Sequence, residues 1–177
     1  CPFCGKPLKE ENFNIDTNKK SIEIFCSDRD CQFYRYKNDR MPIPVYLVDE
    51  EIYSKCPTII LSTVDKFARL PWDVNTNALF GRVDRKCRDG YVAIGAEHGR
   101  HNKTASLPAS TMVNIRPFLP PELIIQDELH LITGPLGTVY GAYETIIEDM
   151  CIHDGIKPKY VVSTATIKNA EAQTRCL

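Results

Sequence analysis

The chain has 177 residues, 43% of them hydrophobic and 25% charged, with a formal net charge of -1; that balance suits one globular domain plus a small satellite. No apolar run approaches the roughly 20 residues of a membrane span, and the N-terminus lacks both an initiator Met and the regions of a signal peptide. A cytoplasmic chain that begins mid-protein, with no membrane partner, is therefore expected. The net charge hides an asymmetry: residues 81–116 hold seven Lys/Arg against three Asp/Glu, and residues 117–177 hold four against eight.

Residues 1–40 are short, polar and turn-rich. Ser21-Ile22-Glu23-Ile24-Phe25 reads as a strand running into Cys26, with Ile22, Ile24 and Cys26 on one face. Four of the eight cysteines fall in the first 31 residues, as Cys1-x2-Cys4 and Cys26-x4-Cys31. Four thiolates in two pairs across a hairpin-length spacer can close a tetrahedral structural zinc site, although the second spacing is wider than the usual two residues. Free or disulfide-linked thiols are the plainer alternative. Zn²⁺ held by Cys1, Cys4, Cys26 and Cys31 would order a segment with little core of its own, a zinc-ribbon-like module over residues 1–42.

Met41-Pro42-Ile43-Pro44 reads as a rigid connector and Val45–Val48 as extended. Thr58–Leu61 is a short β-branched run, after which Thr63 can cap a helix from Val64 to Leu70. Residues 72–120 show no sustained periodicity and read as a long insertion. The order resumes with a strand at Leu123-Ile124-Ile125, a helix from Thr138 to Cys151, a strand at Tyr160-Val161-Val162 and a helix beginning near Lys168. The helix is expected to bury Val139, Tyr143, Ile146 and Met150. Strands alternating with helices predict an α/β parallel sheet over residues 43–177.

Asp127-Glu128 at the carboxyl end of a parallel strand stands where open α/β sheets bind ligands. In nucleotide hydrolysis one acid holds Mg²⁺ and a neighbour orients or deprotonates the attacking water. Alone, such a pair is more simply a solvated strand end. Three segments in order add to it. Ile124-Ile125-Gln126-Asp127-Glu128-Leu129-His130-Leu131-Ile132 resembles motif II of superfamily 2 helicases in its Asp-Glu-x-His form. Val162-Ser163-Thr164-Ala165-Thr166 resembles motif III, and Leu61-Ser62-Thr63-Val64-Asp65-Lys66-Phe67 resembles motif Ib. The phrase from Asp127 to Gly137, with the insertion and the N-terminal cysteines, most resembles helicases of the DISARM anti-phage defence type and their bacterial relatives.

That resemblance implies an incomplete RecA-like lobe of a DNA helicase or translocase. Asp127 and Glu128 would act in hydrolysis, His130 would link the ATP site to motif III, and Thr164, Ala165 and Thr166 would couple hydrolysis to domain movement. Thr63 and Lys66 would touch the nucleic-acid backbone, DNA being the favoured partner, with other defence-system subunits as further partners. No Gly-Lys-Ser/Thr phosphate loop occurs in the sequence, and the second lobe is missing. Mg²⁺ and ATP are accordingly expected in an intact parent only, and the fragment is expected to be inactive alone. The competing class is a zinc-stabilised nucleic-acid or protein-binding module with a relic ATPase motif.

The insertion adds Arg82, Arg85, Lys86, Arg88, Arg100, Lys103 and Arg116 as candidate phosphate contacts, with Tyr34, Tyr36 and Trp72 as candidate stacking residues. A solvated charged loop is the alternative. Cys87, His98 and His101 are weighed as a second metal cluster against ordinary loop residues. Cys56, Cys151 and Cys176 read as isolated small apolar residues.

Overall fold

The computed structural model describes residues 1–37, 39, 41–99, 109, 111–128 and 134–164. The chain divides into two compact units, Cys1–Ile59 and Ile60–Leu177.

In the first unit, strands β1 (Phe13–Asp16) and β2 (Ser21–Ile24) pair antiparallel, Phe13 opposite Ile24 and Asp16 opposite Ser21. Asp16 shapes the turn between them, its carboxylate accepting from the N–H groups of Asn18 and Lys19, each at 3.0 Å. Ile24, Cys26, Cys31, Phe33 and Ile43 form the buried cluster, with Ile22 and Leu8 packed against it. The alternation at Ile22, Ile24 and Cys26 thus points as the sequence indicates. Beyond Ile43, whose N–H donates to the Ile24 carbonyl at 2.7 Å, no strand forms at Val45–Val48.

A short helix, α1 (Asp49–Lys55), follows, which apolar periodicity does not announce. Asp49, Glu50 and Glu51 occupy its first turn and Lys55 its last, the arrangement that opposes the helix dipole. Buried Glu51 accepts the Ile22 N–H at 3.0 Å, and Lys20 pairs with Glu50 at 2.6 Å, so polar contacts seat α1 on the hairpin.

The strand expected at Thr58–Leu61, which spans the division between the units in sequence, does not form: those residues are irregular, and Ile59 and Leu61 are exposed. A β-branched run needs a neighbouring strand to pair with, and none lies beside it among the described residues. The helix expected over residues 64–70 is a 3-10 helix, Val64–Arg69. A second 3-10 helix, Val74–Phe80, is capped by Asp73, which accepts the Asn75 N–H at 3.0 Å.

Residues 72–120, which show no sustained periodicity in sequence, contain a small sheet among their described residues. Strands β3 (Val83–Cys87), β4 (Gly90–Ala93) and β5 (Val113–Asn114) form an antiparallel sheet in the order β4-β3-β5. The register shifts between Val83 and Arg85, placing a bulge in β3. One extra residue breaks the period of two, which hides the strand from a search for alternation.

Gly81 joins the second 3-10 helix to this sheet. It has φ of +69°, and its carbonyl accepts the Phe118 N–H at 2.9 Å. A Cβ there would meet the Phe118 carbonyl oxygen at 2.7 Å and the Leu119 carbonyl oxygen at 2.8 Å. Because both are backbone atoms, the chain itself would have to move. Gly81→Ala is expected to cost about 2–4 kcal/mol, combining left-handed strain with overpacking; urea denaturation read on the second unit measures it.

Strands β6 (Leu123–Gln126) and β7 (Lys159–Val162) pair in parallel, Leu123 opposite Lys159 and Gln126 opposite Val162, with α2 (Gly134–Cys151) between them in sequence. This is a mixed α/β fold with small sheets, one of them the expected parallel pair. Phe80, Ile147 and Cys151 form the buried cluster, with Leu70, Leu79, Ile124, Tyr143 and Met150 against it. The buried stripe of α2 runs through Tyr140, Tyr143, Ile147, Met150 and Cys151, whereas Val139 and Ile146 are exposed. The stripe is offset from the expected one because Tyr140 turns inward, carrying its hydroxyl to a polar partner. No helix among the described residues is long and apolar enough to cross a membrane. The helix expected near Lys168 lies outside the described residues.

Candidate functional site

The first unit brings its four early cysteines together. Turn residues Cys1–Cys4 close with the Gly5 N–H donating to the Cys1 carbonyl at 2.9 Å, Gly5 adopting φ of +74°. The opposite pair comes from the end of the hairpin: Cys26 follows β2, and Cys31 ends a tight loop in which its N–H donates to the Asp28 carbonyl. The four sulfurs lie within 4.8 Å of one another, Cys1 to Cys31 at 3.9 Å and Cys4 to Cys26 at 3.6 Å. Zinc–sulfur bonds of about 2.3 Å in a tetrahedron separate sulfurs by about 3.8 Å, so these separations match coordination. They are far too long for disulfides, and none of these cysteines is disulfide-bonded.

Hydrogen-bond donors reach two of the four sulfurs. The Asp28 N–H donates to the Cys26 sulfur at 3.4 Å. A backbone hydrogen bond from Lys6 holds the Cys4 thiol below its ordinary value, against burial, while burial pushes the Cys31 thiol up. A coordinated cation would deprotonate both. The donor set therefore fits a structural Zn²⁺ with all four positions filled by sulfur, which leaves no place for a substrate. Cys56 and Cys151 are different: burial raises each to about 11, Arg82 opposing this at Cys151, so both stay as thiols.

In the second unit, Asp127 and Glu128 leave the carboxyl end of β6, and Ser163 and Thr164 leave that of β7. The register ends at Gln126 opposite Val162, and the Ser163 N–H donates to the Gln126 carbonyl at 2.8 Å. The acidic pair and the start of the Ser-Thr segment thus emerge side by side from adjacent parallel strands. Asp127 and Glu128 are exposed, and the Glu128 N–H donates to the Asp127 carboxylate at 3.0 Å. Glu128 has φ of +55°, the left-handed region that a non-glycine residue occupies at a cost. His130, Ala165 and Thr166 lie outside the described residues. Thr63 and Lys66 share one turn, the Lys66 N–H donating to the Thr63 carbonyl at 3.1 Å, and both side chains are exposed.

Behind the acidic strand end lies a polar layer that sequence reading misses. The Gln126 amide donates to the Tyr140 hydroxyl and, at 3.2 Å, to the Glu144 carboxylate. Burial raises the Glu144 carboxyl, Glu148 adds to this, and the Gln126 bond opposes it. Burial also pushes Tyr140 up to about 12 and Tyr160 upward, with Glu144 reinforcing both. A carboxyl raised on folding binds more protons in the folded chain, so its contribution is full below the unfolded carboxylate value and is lost as pH rises through the folded one. Glu144→Gln keeps an acceptor for Gln126 and removes that loss. The variant is expected to melt a few degrees above wild type at neutral pH and to converge with it in acid, as read from thermal denaturation against pH.

Of the basic residues in the insertion, Arg85 donates to the Ala96 carbonyl at 2.8 Å and to Asp84 at 3.0 Å, and the Lys86 ammonium sits over the Tyr91 ring at 4.9 Å. Arg82 and Arg116 are exposed, while Arg100 and Lys103 lie outside the described residues. Trp72 and Tyr36 are exposed, and Tyr36 stacks edge-on with Tyr34. Another group lies on the same sheet: Cys87, Asp89 and His98, whose ligand atoms fall within 4.8 Å of one another. Asp89 is not among the residues weighed from the sequence, and His101, which is, lies outside the described residues.

No protein-family model matches the chain. Over 182 aligned residues the chain is 54% identical to the DISARM protein DrmA of Bacillus paralicheniformis (strain ATCC 9945a / NCIMB 11709 / CD-2), an alignment that covers 98% of the chain and 16% of that protein. The chain is thus a close homologue, almost from end to end, of one segment of a DISARM protein, and spans about a sixth of the length of the curated relative it matches.

Proposed function

We propose that this chain is part of the first motor lobe of an ATP-dependent DNA helicase or translocase acting in anti-phage defence, with a zinc-stabilised module attached. The observation that carries this reading is the parallel pairing of β6 with β7, which sets Asp127-Glu128 and Ser163-Thr164 at one sheet edge. These are the segments that resemble motifs II and III of superfamily 2 helicases. The left-handed backbone of Glu128 adds support, since strain of this kind gathers at working sites. The similarity to a DISARM protein supports the defence role and a partnership with other subunits of such a system. The exposed apolar residues Leu123, Ile125 and Val161 suit a sheet covered by further parts of a longer chain.

In this reading Asp127 would hold the Mg²⁺ of a bound Mg-ATP, which neutralises phosphate charge as the terminal bond breaks. Glu128 would orient the attacking water and take its proton. His130 and the segment Thr164, Ala165 and Thr166 would pass the change at the ATP site to the bound strand, with Thr63 and Lys66 on its phosphates. No Gly-Lys-Ser/Thr phosphate loop occurs in the sequence, so in this reading the chain alone would not turn over ATP.

The test is ATP hydrolysis by the DrmA-length protein carrying this segment, with and without single-stranded and duplex DNA. DNA-stimulated turnover is expected. A protein that binds DNA yet neither binds nor hydrolyses ATP would replace the motor with the alternative, a zinc-stabilised binding module bearing a relic motif.

A further inference from the structure

We infer that Cys87, Asp89 and His98 form a second metal site for a zinc-class divalent ion, these three being its protein ligands among the described residues. Cys87 is the last residue of β3 and is buried. Arg88 and Asp89 make the two-residue turn to β4, since Cys87 pairs with Gly90, and this returns the Asp89 carboxylate to the sulfur. His98 arrives from the segment after β4, which is held down by the Ala96 N–H donating to the Ala93 carbonyl and by Arg85 on the Ala96 carbonyl. Strand end, turn and returning segment thus converge on one point.

The chemistry of the donors selects the ion. A thiolate and an imidazole favour zinc-class ions, and a carboxylate completes a set that magnesium or calcium, which take oxygen ligands, would not choose. Tetrahedral bonds of about 2.3 Å to sulfur and about 2.0 Å to nitrogen separate those two atoms by about 3.5 Å; Cys87 Sγ and His98 Nε2 stand at 3.2 Å. All three ligand atoms fall within 4.8 Å of one another. The bound ion would tie the β3–β4 turn to the segment beyond β4. Its mixed sulfur, nitrogen and oxygen donors distinguish it from the closed four-sulfur centre.

The inference is independent of the motor reading and is separable from the four-cysteine centre. The experiment uses the whole chain: metal content after purification in excess zinc, and the electronic spectrum after replacement by Co²⁺, for wild type, His98→Ala, Asp89→Asn and Cys26→Ser. His98 and Asp89 are exposed, so their variants test the ligands without opening the core. Two zinc ions per chain are expected in wild type. His98→Ala and Asp89→Asn should each weaken the second by more than the roughly 10- to 100-fold that outer-shell changes cost, leaving the four-thiolate cobalt spectrum intact. Cys26→Ser should retain the weaker, single-thiolate spectrum. One zinc per chain, unaltered by His98→Ala and lost in Cys26→Ser, overturns the second site and leaves the first. One zinc lost in His98→Ala but kept in Cys26→Ser upholds the second site and overturns the first. Wild-type content that neither His98→Ala nor Asp89→Asn changes also overturns the inference.

Discussion

Chelating metal from the wild-type chain, or replacing Cys26 by serine, should unfold the first unit, and the Cys26→Ser change should leave the described residues of the second unit folded. The buried cluster of the first unit has five members, and two of them, Cys26 and Cys31, are proposed ligands. Without the ion the unit keeps a four-residue hairpin pair and a seven-residue helix seated by polar contacts. A unit of this size buries only about 60% of its unfolded surface and has little stability to spare. Structural zinc in small modules contributes an apparent 10 to 16 kcal/mol, roughly the whole stability of an ordinary domain. Hydrogen exchange read residue by residue is the suitable measurement. The amides of Phe25, Cys26 and Ile43, bonded to Asn12, Phe33 and Ile24, should lose protection with the metal and regain it when zinc returns. Protection that survives full removal of the metal would make the cysteines ordinary core residues.

The cysteine centre was legible because ligand chemistry restricts both residue type and spacing. A turn at Cys1–Cys4 and a loop at Cys26–Cys31 are short enough for local sequence to specify. The parallel pair was legible for another reason: β6 and β7 are brief aliphatic runs, and α2 between them is long and periodic. Elsewhere local signals misled. Thr58–Leu61 has strand composition but finds no neighbour among the described residues, and pairing is what makes a strand. Helix α1 carries little apolar stripe, because its seat on the hairpin is the buried carboxylate of Glu51. The bulge between Val83 and Arg85 hid β3 and the sheet built around it. Asp89 went unnoticed as a ligand because an aspartate in a turn is expected for reasons of turn geometry alone. Gln126 lies 14 residues before Tyr140 and 18 before Glu144, and only the return of α2 across β6 makes a polar layer of them.

On the proposed motor reading, Glu128→Gln in a longer protein carrying this segment should lower ATP turnover by about 10²- to 10⁴-fold, the usual contribution of a residue that handles the water proton, while ATP binding is retained. Glutamine preserves the size of the side chain and its hydrogen-bonding reach, but it cannot accept a proton. Asp127→Ala, by contrast, should weaken the Mg²⁺ dependence of nucleotide binding, since its role in this reading is to hold the ion. The backbone supplies a control. Glu128 sits at φ of +55°, where glycine is free of the side-chain strain that other residues meet. Glu128→Gly should therefore leave the melting temperature unchanged or raise it slightly, yet abolish turnover as fully as glutamine does. Stability and activity moving apart at this position would mark the carboxylate as kept for chemistry, at a cost to the fold. A Glu128→Gly variant that is more stable and still hydrolyses ATP at the wild-type rate would remove Glu128 from the mechanism and leave the water to be oriented by another residue.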